Sequence, residues 1–133
     1  MDQDPDDMKL PALRNVSALA EYVETPGSEL MGFLTFFRGE LLKAIEILRE
    51  ETQEQLADGD AFEKIQAVNR LRLRRNRLEA HLMKEVKEVR ELSKTLLGQA
   101  DKSVVDTLNN ECRNLVQTIS LALRELIQEF GVD

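Results

Sequence analysis

From Asp60 to Leu97 the chain contains neither glycine nor proline, the two residues that most often interrupt a helix. Its residues are mostly Leu, Ala, Glu, Lys and Arg, and they predict one long helix of roughly 55 Å at ~1.5 Å per residue. Gly98 supplies the stop. The positions that share its apolar side are Phe62, Ile65, Val68, Leu71, Leu78, Leu82, Val86, Val89, Leu92 and Leu96, which are expected to form its buried face.

The rest of the composition agrees with helices throughout. Aromatic residues are 5% of the chain, charged residues 32%, and Gly and Pro together are few, at 6 and 3. Strand signals are nearly absent. At 133 residues the length suits one domain with a real core.

Residues 1 to 9 carry four Asp and a Pro with little that is apolar, and are expected to be a disordered acidic tail. A single helical-bundle domain is expected over 10 to 133. It opens with a short amphipathic helix on which Leu13, Val16, Leu19, Ala20 and Val23 share a face. Thr25-Pro26-Gly27-Ser28 then admits two readings. Either Thr25 caps a helix whose first residue is Pro26, or Pro26-Gly27 turns and Ser28 caps. Beyond it Leu30, Leu34, Phe37, Leu41, Ile45, Leu48 and Thr52 step by three and four residues, the seam of a helix running to about Ala57.

Met31, Phe33 and Phe36 make the first half of that helix apolar on a second side. The short first helix is its natural cover; the alternative is a partner-binding surface. Ala57-Asp58-Gly59-Asp60 is short enough to make an antiparallel hairpin, with Gly59 as a left-handed cap and Asp58 or Asp60 opening the next helix. Ser103 and Asp106 form a capping-box pattern at the start of the last helix. That helix has a stripe of Val104, Leu108, Cys112, Leu115, Ile119, Ala122 and Leu126, and beside it a second of Val105, Val116, Leu123, Ile127 and Phe130, before Gly131 ends it. A face that wide must touch two helices, or one helix and a partner. The predicted fold is all-α: an elongated antiparallel bundle of three long helices plus a short N-terminal one.

A net charge of -7 argues against nonspecific attraction to DNA or anionic lipid. The acidic N-terminus and the lack of a long apolar run predict a cytoplasmic protein with no membrane insertion. Against that charge stands the basic knot of Arg70, Arg72, Arg74, Arg75 and Arg77. It lacks interleaved aromatics for base stacking, so nucleic acid is not expected. Hairpin geometry instead sets it near Glu40, Glu46 and Glu50. Asn76 shares a side with Leu73 and Ala80, either as a polar register-setter or as a solvated amide.

The only histidine, His81, stands in His81-Leu82-Met83-Lys84-Glu85, which resembles the His-x-x-Lys-Gly run of histidine phosphotransfer domains but has Glu85 where they have glycine. A carboxylate there repels a phosphoryl group, so a solvated histidine paired with Glu85 is the simpler expectation. One histidine cannot supply a di-iron bundle, and no metal site or cofactor is expected. Cys112 lies on an apolar stripe and reads as a small buried hydrophobe. No catalytic constellation emerges.

The segments Leu56-Ala57-Asp58-Gly59-Asp60-Ala61-Phe62-Glu63-Lys64-Ile65 and Leu108-Asn109-Asn110-Glu111-Cys112-Arg113-Asn114-Leu115-Val116 resemble, in pattern, the flagellar export chaperones for hook-associated proteins, the FlgN family. The resemblance covers about the last hundred residues. It implies a non-catalytic cytoplasmic export chaperone or adaptor that holds an amphipathic helix of a protein partner, mainly through its last helix. Helix-in-groove binding then falls to Val105, Val116, Leu123, Ile127 and Phe130, with Met31, Phe33 and Phe36 as a second surface. The same residues could instead meet the helix at 11 to 24 or a second copy, and a self-associating coiled-coil scaffold is the alternative. A phosphotransfer domain is the third.

Overall fold

The computed structural model describes residues 26 to 96 and 102 to 131. The expected acidic tail, the short first helix, Thr25, Gly98 and Asp101 lie outside the described residues. Three helices follow in order: α1 (Pro26–Asp58), α2 (Ala61–Leu96) and α3 (Lys102–Glu129), and each packs against the other two. The described residues contain no strand.

α1 starts on Pro26 itself, whose fixed φ and missing N–H suit the first turn of a helix. The whole expected seam is inside: Leu30, Leu34, Phe37, Leu41, Ile45, Leu48 and Thr52 are all buried. Thr52 can sit there because its hydroxyl donates to the Leu48 carbonyl at 2.7 Å, which satisfies its own polar group.

The connection to α2 is only Gly59-Asp60, and its chemistry differs in one respect from the expectation. Gly59 has no positive φ, so it is not a left-handed cap. Glycine is required there by space. A Cβ would stand 2.7 Å from the Gln55 carbonyl oxygen and 2.9 Å from Glu63 Cβ. The Gly59 N–H donates to that same Gln55 oxygen at 3.1 Å. Asp60 is the N-cap: its carboxylate accepts from the Glu63 N–H at 2.8 Å while the Glu63 carboxylate accepts from the Asp60 N–H at 3.2 Å. The pair is a reciprocal capping box.

α2 departs furthest from expectation. Leu71, Leu78, Leu82, Val86 and Val89 are buried as foreseen and Val68 is half-buried, but Phe62, Ile65 and Leu92 are exposed. Leu71 stands about two and a half turns after Phe62, which puts the two on opposite sides of the helix. The core side is completed by Ala67, Glu85 and Ser93. Ser93 donates to the Val89 carbonyl at 3.0 Å.

α3 begins at Lys102, so Ser103 lies inside the helix, and its carbonyl accepts from the Thr107 hydroxyl at 2.8 Å. This replaces the cap expected of Ser103 and Asp106. Both of its apolar stripes face inward, because α3 packs against both helices of the hairpin. At the far end Gly131 takes the left-handed conformation (φ 65°), and its N–H donates to the Gln128 carbonyl at 3.1 Å. There Glu129 meets α1, 2.9 Å from Arg49 Nε and 3.1 Å from the Gln53 amide nitrogen that donates to it.

Candidate functional site

The five α3 residues expected to hold a partner sit within the bundle. Val105, Leu123 and Ile127 are 5%, 1% and 4% exposed, and Val116 and Phe130 are half-buried against the core. Their burial has a plain cause: the second stripe lies directly beside the first, so a helix wedged between two others buries both. The second expected surface divides. Phe33 is buried and stacks on Phe37 with ring centroids 5.2 Å apart, Met31 is half-buried, and Phe36 is 55% exposed.

Phe36 is the centre of what α1 presents outward. Gly32 precedes it by one turn and Gly39 follows by about one, both exposed, and a Cβ on either would meet nothing within 4 Å. Ile47, about three turns on, shares the same side and is also exposed. The neighbouring Thr35 turns its hydroxyl into its own helix, donating to the Met31 carbonyl at 3.1 Å. Exposed Glu46 and Glu50 rim this side near Ile47, in a helix where Arg38, Lys43 and Arg49 face seven acidic residues, a balance of -4. Exposed Lys43 stands on the same side between Phe36 and Ile47, so the two are separate apolar points on a side with a mostly acidic border.

α2 presents the opposite character. Phe62, Ile65, Leu73 and Met83 are exposed on its outer side, and none was expected to be the mark of a surface. The signal was present in their phase, which runs opposite to Leu71, Leu78 and Leu82. Exposed Arg72, Lys84 and Lys87 lie among them. Ten Lys and Arg against five Glu give α2 a balance of +5 in a chain of -7.

Part of that positive charge is structural. Arg74 points toward α1 and pairs with Glu51 at 2.8 Å, its side chain only 11% exposed. The expected partners were Glu40, Glu46 and Glu50. Instead Glu40 pairs with Lys43 at 3.4 Å and Glu46 with Arg49 at 2.6 Å, both within α1. The contact formed is thus of the expected kind and with the same helix, through a different carboxylate.

His81 is half-buried, with its ring edge-on to Phe37 at a centroid distance of 5.6 Å, so it is not the solvated histidine expected. Glu85, the partner expected for a solvated His81, is buried on the core side of α2. Cys112 is fully buried, and burial pushes its thiol up, opposed by nearby Arg90 and reinforced by Glu111. A thiol so placed stays protonated at neutral pH, a state poor in nucleophilicity. Among the described residues no group of His, Cys, Asp and Glu is arranged to hold a metal ion, and no helix is long and apolar enough to cross a membrane. No protein-family model matches the chain, and neither curated proteins nor solved structures yield a match.

Proposed function

We propose that the protein is a non-catalytic binding protein that holds an amphipathic helix of a partner protein along the outer side of α1, in the manner its resemblance to the flagellar export chaperones implies. The observation that supports this reading most is Phe36, exposed between two glycines. Glycine in the interior of a helix costs about 0.5–1 kcal/mol relative to alanine. Among the described residues nothing needs Gly32 or Gly39, since a Cβ at either meets none of them within 4 Å. Their use is to let another backbone come close on both sides of an aromatic anchor, the arrangement that concentrates binding energy in one side chain. The acidic border favours a partner helix with basic flanks. α3, which the resemblance would make the binding helix, contributes the core beneath instead.

The test is capture from source lysate by wild type and by Phe36→Asp, with sedimentation of both. An exposed site tolerates the charge, so the variant should keep its thermal midpoint and lose the captured partner. Identical captured proteins from both would sink the proposal. A dimer that Phe36→Asp disperses, with a midpoint rising with protein concentration, would instead favour the self-associating scaffold.

A further inference from the structure

A second apolar surface lies on the outer side of α2, and its occupant can be argued from charge and chain length. Phe62, Ile65, Leu73 and Met83 are 66%, 61%, 43% and 51% exposed, along a helix of balance +5. A second copy is a poor occupant, because pairing this side with itself would bring two arginine-rich helices together. A helix that covers it well is amphipathic and acidic. The chain has one such segment outside the described residues.

We propose that residues 1 to 24 of the same chain dock along the outer side of α2. Six acidic residues against Lys9 and Arg14 give residues 1 to 25 a balance of -4, and four of the acids fall within the first seven positions. Leu13, Val16, Leu19, Ala20 and Val23 share one side at helical spacing. The chain's path supplies the register. The hairpin folds about Gly59, so Pro26, where α1 begins, comes level with Leu92 at the far end of the bundle. Running back from there at ~1.5 Å per residue, residues 24 to 10 cover about 21 Å and bring Val16 level with Met83 and Leu10 level with Arg77. Asp7, Asp6, Asp4 and Asp2 then arrive beside Leu73 and Arg72. Leu13, Val16 and Leu19 then lie around Met83 while the acids reach the arginine knot, and Phe62 and Ile65 lie beyond the segment's helical part. α1, with a balance of -4 over the whole helix, repels the same segment. This occupant does not depend on the partner proposed for α1, which uses a different helix.

The experiment uses the full chain with Met83→Cys carrying a nitroxide label. Native Cys112, buried and with its thiol pushed up, does not compete for the reagent at neutral pH. Amide NMR signals of residues 10 to 24 should lose most of their intensity, and recover it in the same protein carrying Leu13→Asp and Val16→Asp. Raising the salt should also restore the tail signals of Asp2 to Asp7, because screening weakens exposed charge pairs. A label at Leu121→Cys, on the outer side of α3, should leave the segment unaffected. Full intensity at residues 10 to 24 with the Met83 label overturns the proposal. So does a loss that appears undiminished when labelled chains are mixed with separate isotope-enriched chains, since the segment of another copy would then be the occupant.

Discussion

α3 and α2 each carry two apolar stripes, and the bundle treats them in opposite ways. On α3 the stripe of Leu108, Cys112, Leu115 and Ile119 adjoins that of Val105, Leu123 and Ile127, and all seven are buried. On α2 the stripe of Leu71, Leu78 and Leu82 is backed by Phe62, Ile65, Leu73 and Met83, which are exposed. Adjacent stripes merge into one wedge that fits the cleft of a hairpin. Opposed stripes cannot both face a three-helix core, so one of them is left outside it. Width of an apolar face is therefore a sign of burial, while opposition of two faces is a sign of a surface.

The sharpest way to break this comparison is to truncate one residue from each helix. Leu123→Ala should cost ~2–5 kcal/mol, the range for a leucine removed from a packed core. Phe62→Ala, although it deletes more atoms, should stay within ~0.5 kcal/mol, as surface changes do. Urea unfolding of the two variants decides it, and equal losses would mean that the two stripes do not differ as described.

The same contrast between inside and outside extends to glycine. Gly59→Ala should cost about 1–3 kcal/mol, because its Cβ would meet the Gln55 backbone oxygen, which cannot swing away as a side-chain tip would. Gly39→Ala, open to solvent, should stabilise by ~0.4–1 kcal/mol through the entropy of the unfolded chain. Thermal midpoints moving in opposite directions would sharpen the contrast; a loss at Gly39 would show that α1 is constrained on its outer side.

Much of this was legible beforehand because periodicity is a strong signal where it is unbroken. The α1 seam from Leu30 to Thr52 was complete in the sequence, and so was the position of the hairpin turn. α2 was legible only from Val68 to Val89. Phe62 and Ile65 are apolar enough to be taken for core, and only their phase relative to Leu71 sets them outside. Glu85 and Ser93 were missed for the reverse reason, since polarity suggests solvent while their place on the helix puts them inside. The binding side was the least legible. Spacing groups Val105, Leu123 and Ile127 on one side of α3, yet which neighbour covers that side is a property of three helices together. Phe36 was visible as one of two possibilities, and its flanking glycines gain meaning only once the space around them is known.

The two clasps of the bundle also set an order of assembly. The Asp60–Glu63 box closes a turn between residues three apart, whereas Glu129 must find Arg49 and Gln53 across most of the chain. Loop-closure entropy favours local contacts first, so the α1–α2 hairpin is the natural nucleus and α3 the last part to arrive. Substitution at Asp60 should then slow refolding, while substitution at Glu129 should mainly hasten unfolding, and stopped-flow rates showing the reverse would place the nucleus at the α3 end.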